Sequence, residues 1–128
     1  LTSLTDKTNE IILGRIGAND PNFNLRKEPT LILRKKNSKN TVFASIIESH
    51  GLYNPVTESA TNAYSSIKSL DLIHNTKEYT AIKIEDKIGN HKILVIANAN
   101  ASKTKNHTIN INKKDFSWTG PYLFKSLK

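Results

Sequence analysis

The chain has 128 residues, which supports one domain and one hydrophobic core, not two. With 37% hydrophobic residues and a mean hydropathy of −0.47 it reads as a globular body, and no apolar run approaches the roughly 20 residues of a membrane helix. The net charge of +8 suits a polyanionic partner or simple solubility, and the absence of cysteine excludes disulfides and thiolate metal sites.

β-branched residues and alternation dominate in chain order. Strands are predicted near Glu10–Ile16, Thr30–Lys35, Thr41–Ser49, Ser66–Ile73, Glu78–Glu85, Lys92–Asn98, His107–Asn112 and Phe116–Phe124. Turn signals separate them, among them Asn37-Ser-Lys-Asn40, Asn75-Thr-Lys77, Asp86-Lys-Ile-Gly-Asn90 and Asn98-Ala-Asn-Ala-Ser102. Connections this short require antiparallel neighbours, because a parallel return needs a crossover of about a dozen residues. No segment has a capped, sustained helical period. The expected fold is all-β, an antiparallel two-layer sandwich of about eight strands forming a single domain over 1–128. In Glu78–Glu85 the apolar set is Thr80, Ile82 and Ile84; in His107–Asn112 it is His107, Ile109 and Ile111, so each strand is expected to keep one wet face. Lys92-Ile-Leu-Val-Ile-Ala97 is continuously apolar, as in a central strand covered on both sides, and Thr41–Glu48 is similar.

Two long connections stand out. Gly51–Tyr64 holds Pro55, several Ser and Thr, and no period. The other, Gly17-Ala-Asn-Asp-Pro-Asn-Phe-Asn-Leu-Arg-Lys-Glu-Pro29, sets three Asn, one Asp and two Pro around the apolar anchors Phe23 and Leu25. Asn and Asp side chains bond neighbouring backbone, so an ordered loop on a β scaffold is expected, a usual place for function or domain contact. Its candidate contact residues, to substrate or to another domain, are Arg15, Asn19, Asp20, Arg26 and Glu28. An Arg fork suits a carboxylate; an internal pair of Arg26 with Glu28 or Asp20 would instead pin the loop. Arg34 lies just beyond.

The sixth candidate is His50. Glu48-Ser-His50 sets a carboxylate and an imidazole on one strand face, either as an oriented general base or as polar groups closing a turn. The four histidines have no metal-ligand spacing, and no phosphate-cradling glycine loop or nucleophile elbow is present. No cofactor and no metal are expected. Trp118 and Tyr122 flank Thr119-Gly-Pro121, where an aromatic pair would either stack on a sugar or fill a core. Lysines and aromatics are not interleaved, so no nucleic-acid partner is expected, nor a membrane. Methionine is absent even at position 1, and we expect a processed product or, preferably, an excised piece of a longer chain.

Several of these segments resemble a known family. Gly17-Ala-Asn-Asp-Pro-Asn-Phe-Asn-Leu-Arg26, Glu28-Pro-Thr-Leu-Ile-Leu-Arg34 and Val42-Phe-Ala-Ser-Ile-Ile-Glu-Ser-His-Gly51 are similar to the C-terminal region of heparinase II/III-like polysaccharide lyases, most of all the alginate and oligoalginate lyases. Weaker likeness runs through Tyr79-Thr-Ala-Ile82 and Ser117-Trp-Thr-Gly-Pro-Tyr122. The resemblance implies an α/α toroid followed by antiparallel β-sheet domains, and β-elimination on uronic-acid polysaccharides. There, one group neutralises the uronate carboxylate, a base removes the C5 proton and an acid protonates the leaving oxygen. None of the family's catalytic motifs matches a position here, so no catalytic residue is carried over. The expectation is an accessory, structural C-terminal domain, inactive alone, whose partner is the toroid and first β-sheet region of its parent lyase. The resemblance also implies a bacterial periplasmic or secreted location. The alternatives are a stand-alone carbohydrate-binding module for acidic polysaccharide and an adhesion-type sandwich.

Overall fold

The computed structural model describes residues 1–17, 27–49, 51–61 and 63–127. Among the described residues every regular element is a strand, and every pairing between strands is antiparallel. The strands in chain order are β1 (Thr2–Ser3), β2 (Asn9–Gly17), β3 (Lys27–Lys35), β4 (Ser45–Ile46), β5 (Leu52–Asn54), β6 (Ser59–Thr61), β7 (Ile67–Asn75), β8 (Tyr79–Asp86), β9 (His91–Ala97), β10 (Asn106–Ile111), β11 (Lys114–Thr119) and β12 (Tyr122–Leu127). The fold is therefore all-β, as expected. The chain divides into two compact units, Thr5–Phe43 and Leu1–Leu4 with Ala44–Lys128.

The smaller unit is a two-stranded ribbon, β2 against β3, in unbroken register from Asn9↔Lys35 to Gly17↔Lys27. Strand β3 begins three residues before the expected Thr30, and Pro29 lies inside it opposite Arg15. A two-stranded ribbon turns alternate N–H groups outward, so a residue without one is tolerated.

The larger unit is built on a four-stranded sheet in the order β12-β9-β8-β7. The hairpin β10–β11 lies on one face of it. Ala81, Ile93 and Val95 of the sheet meet Ile109, Ile111, Phe116 and Trp118 of the hairpin in one buried cluster, edged by Ile73, Tyr79, Leu123 and Leu127. His107, Ile109 and Ile111 all point into this layer, as their spacing predicted, while Thr108 and Asn110 are exposed. Strand β8 departs from the expectation of one wet face. Ala81 serves the core cluster, yet Thr80 and Ile82, which point to the other side, are buried too. Alternation identifies a face but not the layer that covers it.

The hairpin turns through Asn112 and Lys113, both at positive φ (52° and 66°), between the paired Ile111 and Lys114. Two left-handed residues make the turn whose twist matches the flanking strands. The predicted strand Phe116–Phe124 is broken at Gly120, whose φ of +103° is open to glycine and strained for other residues. The chain crosses here from the hairpin layer to the sheet: β11 ends at Thr119, and β12 pairs with β9 from Tyr122↔Ile96 to Leu127↔His91.

Two other segments differ from expectation. Thr41–Ser49 yields only Ser45–Ile46 as strand, because its partner β1 offers only Thr2 and Ser3. The aperiodic Gly51–Tyr64 contains a small hairpin, β5–β6, whose turn is held by Asn54 Oδ1 accepting the Val56 N–H at 2.9 Å.

Candidate functional site

Of the six residues singled out in the sequence, Asn19, Asp20, Arg26 and His50 lie outside the described residues. Arg15 and Glu28 are both exposed on the ribbon, Arg15 opposite Pro29 and Glu28 opposite Ile16. Side chains alternate along a strand, so this register sends the two to opposite faces, and they do not form one site. Glu48, expected beside His50, accepts the Ser66 N–H at 2.8 Å and the Ser66 hydroxyl at 2.6 Å, and the Ser65 hydroxyl also donates to it. Its oxygens thus tie the chain after β4 to the residues that lead into β7.

Charges at the Asn9↔Lys35 end of the ribbon pair with one another. Arg34 Nε donates to Glu10 Oε2 at 2.8 Å, and Lys36 also pairs with Glu10. Lys35 Nζ donates to Asp6 at 2.6 Å, and Asp6 also accepts the Thr8 N–H and hydroxyl. The Lys35 ammonium, with the Thr8 donors, holds the Asp6 carboxyl down at about 2. Lys36 and then Arg34 likewise depress Glu10. These pairs are solvated, and such pairs contribute little to stability.

The Trp118–Tyr122 pair does not form a platform. Trp118 is 9% exposed, inside the core between sheet and hairpin, and its Nε1 donates to the Gly120 carbonyl at 3.0 Å. Its ring stacks on His107, with centroids 5.1 Å apart and planes at 22°. Tyr79 meets both rings edge-on, and its hydroxyl lies 3.3 Å from His107 Nδ1. Among the described residues His107 Nε2, which is buried, has no hydrogen-bond partner. A Tyr–His pair has the donors and acceptors for proton transfer, but this imidazole is 4% exposed and packed between aromatic rings, where no substrate atom reaches it.

The open surface is the other face of the four-stranded sheet. Paired residues share a face, so Leu72, Ile82, Leu94 and Phe124 form one row across it, and Thr80, Ile96 and Tyr122 a second. Exposure is lowest at the centre and greatest on β12: Ile82 is buried, Leu94 half-buried, Leu72 and Ile96 each 38% exposed, and Phe124 and Tyr122 56% and 61% exposed. Leu94, Ile96 and Tyr122, with Ala97, Ala101 and Pro121, line a hollow of about 370 Å³ that no charged side chain enters. The continuous apolar run of β9 pointed to a strand needing cover on both sides. The contribution of Tyr122 and Phe124 was hidden by reading Phe116–Phe124 as one strand.

In the larger unit, architecture and surfaces together describe an antiparallel two-layer β body with one sealed layer and one half-open apolar face. Comparison with known proteins adds the relatives of the chain. The chain is 31% identical over 121 residues, 94% of its length, to an exo-oligoalginate lyase of Saccharophagus degradans, and 32% identical over 114 residues, 88% of its length, to an alginate lyase of Stenotrophomonas maltophilia. It spans only 16% and 15% of those two relatives. No family model matches the chain. The likeness to alginate and oligoalginate lyases seen in its segments is thus a homology along nearly the whole chain, to a small part of much larger proteins.

Proposed function

We propose that this chain is the accessory, C-terminal structural domain of a heparinase II/III-like polysaccharide lyase, which cleaves uronic-acid polysaccharide such as alginate by β-elimination at groups carried elsewhere in the polypeptide. The observation that carries the reading is the disproportion in the alignment: 94% of this chain corresponds to 16% of an exo-oligoalginate lyase. The placement of the chain's polar groups supports it. Among the described residues, Glu10 and Asp6 are engaged in pinning the ribbon, Glu48 is bonded to Ser65 and Ser66, and the Tyr79–His107 pair is closed off by Trp118. β-Elimination needs a cation or polarising donor on the carboxylate, a base and an acid converging on one sugar ring. A periplasmic or secreted location follows for a protein acting on such a polymer.

The test is to express the 128-residue chain and the complete product of its gene, and to follow the unsaturated uronate formed from oligoalginate by its absorbance. The expected result is activity in the complete product and none in the 128-residue chain. Turnover by the chain alone overturns the accessory role, and a complete product inert on every uronate polymer overturns the lyase assignment.

A further inference from the structure

We infer that the apolar half-face formed by β9 and β12, centred on Leu94, Ile96, Tyr122 and Phe124, is the seat for an apolar surface of the remaining polypeptide of the parent lyase. The inference rests on the reading above and adds the surface through which the domain is held.

Single exposed apolar side chains are ordinary; a contiguous block is not. Here the register forces the block: Ile96 faces Tyr122 and Leu94 faces Phe124, so two aliphatic and two aromatic side chains lie side by side on adjacent strands. The hollow beside them is concave and lined by six residues without a charge, in a chain of net charge +8. That chemistry selects the occupant. An acidic polysaccharide needs cations and donors to replace the water around its carboxylates, and here the Tyr122 hydroxyl is the sole side-chain donor in the lining. An apolar protein surface needs only shape, and a hollow of about 370 Å³ accepts projecting side chains. The relatives supply the source: more than four-fifths of each lies outside the segment this chain matches. The face is most open at its β12 edge: Ile82 is 4% exposed and Leu72 on the opposite edge 38%, whereas Phe124 and Tyr122 are 56% and 61% exposed.

Hydroxyl-radical footprinting of the 128-residue chain and of the complete gene product tests this. In the chain alone Tyr122 and Phe124 should be oxidised readily, and in the complete product that oxidation should be lost while the exposed Tyr53 of β5 serves as an internal reference. Equal oxidation of Tyr122 and Phe124 in a complete product that is an active lyase overturns the docking surface and leaves the accessory role standing. A gene product no longer than this chain overturns both. The variant Phe124→Lys supplies a second measurement. It should leave the circular dichroism of the chain unchanged and lower the unfolding temperature of the complete product. Sedimentation of the chain as a dimer that Phe124→Lys dissociates assigns the surface to a second copy, and saturable binding of oligoalginate lost in Tyr122→Ala assigns it to sugar; either overturns the proposal.

Discussion

The imidazole of His107 lies on the indole of Trp118 across the hairpin, 5.1 Å between centroids, and Tyr79 of the sheet meets both rings edge-on. His107 contributes area and shape to this seam, while its Nε2 is buried without a partner among the described residues. A buried polar atom left unpaired costs about 1–3 kcal/mol. In a Tyr79→Phe background, which already lacks the contact to Nδ1, replacing His107 by Phe keeps a flat ring on Trp118 and removes that atom, so stability in urea should be unchanged or higher. His107→Ala removes the ring as well and should cost about 3 kcal/mol, by analogy with large-to-small aromatic truncations. A large loss on adding His107→Phe to Tyr79→Phe would mean that Nε2 has a partner in solution.

The two faces of the central sheet should respond differently to truncation. Ile93 is fully buried between the layers, and Ile93→Ala should cost about 2–5 kcal/mol by urea unfolding of the chain. Phe124, on the half-open face, should cost under about 1.5 kcal/mol on change to Ala, because much of its ring is already in water. Equal losses would show that the outer face is covered within the chain itself.

Lys113 sits at φ +66° in the second place of the β10–β11 turn, next to Asn112. A left-handed conformation costs a residue with a Cβ about 1 kcal/mol, and glycine escapes that cost. Lys113→Gly should therefore stabilise the chain by about 0.5–1 kcal/mol, creating an Asn-Gly turn of the kind two-residue hairpins favour. Thermal unfolding measures it; a lowered midpoint would argue against this turn geometry.

The ribbon should weaken in acid in a defined window. The folded Asp6 carboxyl is held at about 2, below its ordinary 3.8, first by Lys35 and then by Thr8. A depressed acid contributes stability above its unfolded value, and that contribution drains away as the pH falls from 3.8 toward 2. Carboxyl NMR titration should place Asp6 near 2, and Lys35→Ala should return it toward its ordinary value. An Asp6 that titrates unchanged in Lys35→Ala would show that the pair does not persist in solution.

Alternation made much of this fold legible before any coordinates. Ile109 and Ile111 announce a buried face by their spacing, and the apolar run of β9 announces a strand that wants cover on both sides. The limits are physical. Gly120 and Pro121 lie inside what looks like one apolar strand, yet the positive φ at Gly120 sends Trp118 into the core and Tyr122 to the opposite surface of the sheet. Thr41–Ser49 has strand composition, but strand length is set by a partner, and β1 supplies two residues. The site was legible only as a likeness to lyases. Arg15 and Glu28 are neighbours in a list of candidates, but the pleat separates them, a relation that depends on the register of β2 and β3. Asn19, Asp20, Arg26 and His50, expected to contact substrate or another domain, lie outside the described residues.

Trp118 is the one tryptophan of the chain, and its place between sheet and hairpin makes it a built-in optical probe. Its emission reports the closing of that seam and nothing of the Thr5–Phe43 ribbon, which carries no indole. Parting the layers moves the ring from apolar surroundings into water, so the emission wavelength registers the event. A melt followed at this single chromophore will time the opening of the larger unit, and any change in backbone ellipticity that precedes or trails it belongs to other strands.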